Sequence, residues 1–239
     1  MGGTRLPGEA ELLQVVPALN AIDPSDATKM PLEARMYGIF AGFIVTWVWV
    51  IASRRSRAVL MPPSLLLFIF VAFIAVMGFD GINATLYDMS TMGLPIPFLY
   101  EPRLDLRLAS GLLSGIGIGG IMLPIVNFAL WRQARAETQF ARLRDLAPPL
   151  INCALIFALI VSGSALFLYP VSAIGVLGVI ALIGALNLVL LLSIFQRDGA
   201  ALSWSETLNP LAVAVLMTAL ELGALSAIRY ALFGTQILP

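Results

Sequence analysis

Four stretches of this chain contain no Asp, Glu, Lys or Arg: residues 36–53, 58–79, 108–131 and 146–196. A helix that crosses the hydrocarbon core of a bilayer needs about 20 predominantly apolar residues, and it must satisfy every backbone N–H and C=O within itself. Each shorter run fits one span, and the 51-residue run fits two. Proline disfavours helix at the residue before it, so the long run divides at Tyr169-Pro170 into spans of about 150–168 and 171–195. A sixth span, about 209–232, is interrupted near its middle by Glu221 and carries Arg229 near its end. The pattern predicts an all-α polytopic bundle of six transmembrane helices, with an extramembrane segment over 1–33 and the transmembrane domain over 34–239.

Composition removes several function classes. Charged residues are 12% of 239 and hydrophobic residues 59%, against about 25% and about 45–50% in soluble domains. So few charges would not cover a soluble surface. Basic and acidic residues balance at 14 each, so no basic field is available for nucleic acid. The absence of histidine and the single cysteine exclude Ser-His-Asp and Cys-His nucleophiles, His-ligated haem and His/Cys zinc sites. No cofactor and no metal site is expected. Cys153 lies in the apolar string LINCALIFAL and reads as a buried, inert thiol. Arg5 is not followed by an apolar signal-peptide core, and AELLQVVPAL at 10–19 is weakly amphipathic, suited to the membrane surface.

The connections carry the orientation. Arg54, Arg55, Arg57, Arg132, Arg135, Arg142, Arg144 and Arg197 fall at one end of the spans, in compact loops. Arg5, Lys29, Arg35, Arg103, Arg107 and Arg229 are spread over longer segments at the other. The basic end is therefore expected in the cytoplasm of a cell membrane, with both termini outside. The charged stretch 132–149 is expected to extend the third span as helix, and 80–107 to form a polar connection. Trp47, Trp49, Trp131 and Trp204 suit an aromatic belt at the basic end, and Asn127 and Asn187 suit interhelical hydrogen bonds.

The third span reads SGLLSGIGIGGIM, with Gly111, Gly115 and Gly119 at four-residue spacing. Small residues at this spacing let helix backbones approach closely in lipid. A phosphate-cradling loop would need a preceding strand and access to water, so packing is the reading that fits. The segment DGINAT at 80–85 begins like a phosphatidyltransferase motif but has Thr85 where arginine is required.

Two stretches together resemble the domain of unknown function 2085 family of predicted membrane proteins: PLEARMYGIFAGF at 31–43, and FDG at 79–81 with YEPRLDLRLASGLLSG at 100–115. Pro31, Ala34, Arg35, Gly38, Gly42 and Phe43 match the first pattern. Asp80, Gly81, Glu101, Arg107, Ser110, Gly111, Leu112, Leu113 and Gly115 match the second. The family's paired cysteines are Glu33 and Met36 here, and its asparagine is Leu104. The resemblance covers about the first half of the chain and implies architecture and candidate positions rather than an activity.

Candidate ligand-binding residues are Arg35, Asp80, Glu101 and Arg107, with Arg229, at the end opposite the basic loops. Two arginines beside carboxylates suit an anionic head group; the alternative is an interfacial ion-pair network. Glu221, near mid-membrane, is a candidate for function or for a hydrogen bond to Ser114, Ser162, Ser164 or Thr218. Three readings stay open. The chain is a non-catalytic subunit of a membrane complex, the reading preferred for its lost reactive groups and abundant small-residue faces. Alternatively it binds or transports a lipid or isoprenoid head group in an outer-leaflet pocket. The third is an enzyme using Asp80, Asp88, Glu101 and Asp105, alone or with a divalent ion. Expected partners are the bilayer, other membrane subunits and a bound lipid, with no nucleic acid.

Overall fold

The computed structural model describes residues 33–162, 167–197, 199 and 201–233. The N-terminal segment, with its amphipathic string, and Ser164 lie outside the described residues. Among the described residues, six helices are long and apolar enough to cross a membrane. They are α1 Ala34–Ala52, α2 Ser64–Thr91, α3 Leu104–Leu130, α4 Ala147–Val161, α5 Leu168–Ile194 and α6 Trp204–Phe233. The fourth reaches spanning length only with the 3-10 turn Leu143–Leu146 that leads into it. The protein is a multi-pass membrane protein.

The core forms around α3, which packs against α1 and α2 and touches α5. Glycine sets this arrangement. A β-carbon on Gly38 would sit 2.6 Å from the Leu108 carbonyl oxygen, and one on Gly115 would sit 2.8 Å from the Gly42 Cα. Gly111 faces Gly38, Gly115 faces Gly42, and Gly119 faces Thr46. Both members of each pair advance by four residues, so α1 and α3 run parallel in one register along a small-residue seam, the close approach that association in lipid rewards. On another face of α3, Gly117 and Gly120 admit Phe70 of α2, and Gly178 of α5 lies against Phe40 of α1. The outer helices are bound less closely. α6 packs mainly on α5, and its exposed side chains from Leu208 to Leu232 form an apolar face suited to lipid.

Several boundaries differ from those expected. Residues 58–60 form a strand, β1 (Ala58–Leu60), and α2 starts only at Ser64 and runs on to Thr91. Asp80 therefore lies inside a helix about 42 Å long rather than at its end. The stretch 132–149 does not continue α3. It forms β2 (Arg135–Thr138), parallel to β1, and then the 3-10 turn. The stretch is short of apolar residues, and its buried Phe140 closes an aromatic stack with Trp49 and Phe70 that a continuous helix would forgo. The last apolar run divides before Tyr169, and Pro170 sits in the first turn of α5, where its missing N–H costs nothing. Asn127 makes no interhelical hydrogen bond among the described residues; its amide donates to the Ala58 carbonyl at 2.9 Å.

Two of the basic-end turns share a construction. At the end of α1 the Arg55 N–H donates to Val50 and the Arg54 N–H to Ile51, with Arg54 at φ 59°. At the end of α5 the Arg197 N–H donates to Leu192 and the Gln196 N–H to Ser193, with Gln196 at φ 52°. Both are Schellman turns in which a side-chain-bearing residue takes the left-handed position that glycine prefers.

Candidate functional site

Towards the end of the bundle opposite the basic loops, the start of α1 and the loop before α3 meet Asp80 of α2. Its side chain is almost fully buried, and both oxygens are engaged: Oδ2 accepts from the Arg35 guanidinium at 2.8 Å, and Oδ1 from the Tyr100 hydroxyl at 2.7 Å. Arg35 crosses from the first turn of α1 to α2 past Gly81, where a β-carbon would press on its terminal nitrogen at 3.3 Å. The Asp-Gly pair is thus a carboxylate together with the space its partner needs. The loop that brings Tyr100 is clamped by Asn83, which accepts from the Leu99 N–H at 2.9 Å and donates to the Tyr100 carbonyl at 2.8 Å. Burial, with the hydrogen bond to Asp80 adding to it, pushes the Tyr100 phenol up to about 12.

Arg107, in the first turn of α3, faces Glu33 across a loose 3.7 Å pair. Its Nε, like that of Arg35 and the hydroxyl of Tyr37, is buried without a hydrogen-bond partner. The structure brings Arg35, Asp80 and Arg107 to one end, where both guanidinium charges act on Tyr100. It does not join Glu101, which is exposed, and Arg229 lies exposed on α6. Neither makes an ion pair among the described residues. Tyr100 and Asn83 are not marked by the sequence, and Glu33 is marked only as the position of a family cysteine. Polar loop residues carry no periodic signal, so only the position of Tyr100 beside the matched Glu101 could have marked it.

Glu221 belongs to a separate cluster. Its Oε2 accepts from the Asn187 amide of α5 at 2.9 Å, and the same amide donates to the Thr218 hydroxyl at 3.1 Å. Thr218 in turn donates back to the Ala214 carbonyl. Of the partners expected for Glu221, Thr218 is met only through Asn187. Ser114 is buried with its hydroxyl unpartnered, and Ser162 donates to Leu159 within its own helix. Arg229, two turns further along α6, makes no bond to Glu221.

The described residues hold no group of three or more acidic or cysteine side chains that could bind a metal. Asp88, Glu101 and Asp105 stand apart from Asp80; Asp105 pairs with Arg103 at 2.7 Å.

Residues 26–121 match the family described as Predicted membrane protein (DUF2085), the family that the motifs of the first half resemble. The matched segment contains α1, α2 and most of α3, and so the whole glycine seam and the Asp80 cluster. No curated protein and no solved structure matches the chain.

Proposed function

We propose that the protein is a non-catalytic subunit or accessory component of a larger membrane complex, docked through α6. One observation carries this reading. Glu221 lies close to the middle of α6, at the edge of the stripe formed by Thr207, Leu211, Ala214 and Thr218, and it is exposed. Asn187 engages one of its oxygens; the other has no partner among the described residues. A carboxyl group open to hydrocarbon is expensive, and intramembrane carboxylates are met by a partner or mark a pathway. A helix of a neighbouring subunit that offers a donor or a cation would complete the pair. The matched family positions support the same view, since they are spent on the seam and on an ion pair whose carboxylate is fully engaged, rather than on a reactive group. We place the basic end in the cytoplasm, by the distribution of arginine.

The test combines mild-detergent extraction with intact-complex mass analysis and crosslinking from Leu220→Cys, one position from Glu221, in a Cys153→Ala background. A stoichiometric second subunit, crosslinked through position 220 and lost in Glu221→Leu but with the fold intact, is the expected result. A monomer carrying one lipid, unchanged in Glu221→Leu, would instead support a second reading, a pocket for a lipid or isoprenoid head group beside Arg35 and Arg107. The buried, unpartnered Nε atoms of those two arginines favour that alternative.

A further inference from the structure

A cleft of about 240 Å³ runs from the basic end towards mid-bundle among α1, α4 and α5, lined by Val48, Trp49 and Ala52 of α1, Asn152 and Ile156 of α4 and Ile174 of α5. It is smaller than the ~300–1,000 Å³ typical of sites for drug-sized ligands, and its walls are almost wholly apolar. One polar side chain interrupts them: Asn152 donates through Nδ2 to the Pro148 carbonyl, which leaves its oxygen as an acceptor. The cleft ends where α1 ends. There the Arg55 guanidinium bonds Asp145 at 2.9 Å, and this ties the 3-10 turn before α4 to the turn after α1. Arg54 and Arg144 are the chain neighbours of that pair, which places their backbones beside the basic end of the cleft. Both are exposed, and neither has an ion-pair partner among the described residues. Asp145, the nearby acid, is already taken by Arg55 and by the Ala141 and Arg142 N–H groups.

We propose that this cleft is a seat for an anionic phospholipid, with an acyl chain along α1 and α4 and its phosphate held by Arg54 and Arg144. Charge selects the occupant. A zwitterionic lipid would gain the apolar wall and little from two uncompensated guanidinium groups. An anionic head group neutralises them, as arginines beside a membrane do for acidic lipids. The seat is distinct from the Arg35 end and from the α6 surface.

The experiment equilibrates the purified full-length protein in mild detergent with equal amounts of phosphatidylglycerol and phosphatidylcholine and counts retained lipid by intact mass. Wild type should retain phosphatidylglycerol preferentially. The double variant Arg54→Gln/Arg144→Gln should lose about 30-fold in relative phosphatidylglycerol occupancy, about five-fold for each arginine. Both positions are exposed and unpaired, so the fold should survive. Ile156→Trp, which fills the cleft, should lower retention of both lipids. Arg132→Gln, at the same end but hydrogen-bonded to Gly199, should keep the preference. Equal retention of the two lipids by wild type would overturn the proposal. So would an unchanged preference in the double variant, an equal loss in Arg132→Gln, or undiminished lipid in Ile156→Trp.

Discussion

Replacing Gly115 with alanine adds one methyl group and should be among the most damaging small changes in this protein. The added carbon would lie 2.8 Å from both the Gly42 Cα and the Phe43 nitrogen, whereas ordinary contact begins near 3.4 Å. These are backbone atoms of α1, and the Ile39 carbonyl oxygen would lie closer still, so no rotamer relieves the overlap and the helices must separate by at least about 0.6 Å. A gap of 0.5–1 Å forfeits a quarter to a half of each contact's attraction. For a seam with on the order of 40 heavy-atom contacts at ~0.1–0.2 kcal/mol each, the loss is about 1–4 kcal/mol, in line with the ~1–3 kcal/mol typical of overpacked cores. Gly115→Leu should be worse, and Leu112→Ile, which conserves volume, should be tolerated. The same Gly→Ala change supplies its own control at Gly78 and Gly223, where an added β-carbon meets nothing within 4 Å. There alanine should be neutral or stabilise by up to about 1 kcal/mol through helix propensity. Unfolding midpoints measured for all three variants in one mixed-micelle titration decide the matter. If Gly115→Ala unfolds with Gly78→Ala and Gly223→Ala, the α1–α3 seam is not where the stability lies and the reasoning fails.

Asp80→Asn should destabilise by about 2–4 kcal/mol, because the Arg35 charge is left without its counter-ion in a largely buried position. Tyr100→Phe, which removes one charge-assisted hydrogen bond, should cost about 1.5–3 kcal/mol; thermal melts of both against wild type rank them. Tyr100 also predicts a pH dependence. Its folded value of about 12 lies above the ordinary 10.0, so its contribution is full below pH 10 and is lost as pH rises from 10 towards 12. A melt-versus-pH series should show this alkaline loss in wild type and not in Tyr100→Phe. Gln196→Gly should raise stability by about 0.5–1 kcal/mol, since it removes the penalty of a side chain at φ 52°; an unchanged or lowered midpoint would show that the Gln196 side chain stabilises the turn.

Periodicity and charge carried the spans into view because lipid imposes a length and an absence of charge that few other environments demand. The same logic failed at the ends of the spans, where water returns. Nothing local tells Asp80, inside α2, from a residue at a helix terminus, since a long helix passes through the interface without changing its pattern. The charged stretch after Trp131 is compatible with a helical extension of the third span, yet its fate depends on Phe140 meeting Trp49 and Phe70, side chains 91 and 70 positions away in the chain. The glycine spacing of α3 could be read as a packing face. Its partner needed the structure: Gly38 and Gly42 of α1 repeat the same four-residue step, and only the fold puts the two steps in register.

The distribution of these features suggests why the first half of the chain carries a recognisable pattern. Residues 26–121 contain both sides of the glycine seam and both partners of the Arg35–Asp80 pair. A glycine in such a seam admits no substitute without moving a helix, and a largely buried ion pair tolerates the loss of neither member. Sequence is therefore most tightly specified there by physics alone, whatever the protein does. The later helices face fewer such demands. α6 meets its neighbour through one stripe, and most of its surface requires only that it be apolar. Against that permissive background Glu221 stands out, since the fold does not need a carboxyl at this position: Asn187 already has Thr218 as an acceptor. A costly group that the packing of its own chain does not require is best explained by something outside that chain, which is why α6, rather than the Asp80 cluster with its fully engaged carboxylate, is where a partner should be sought first.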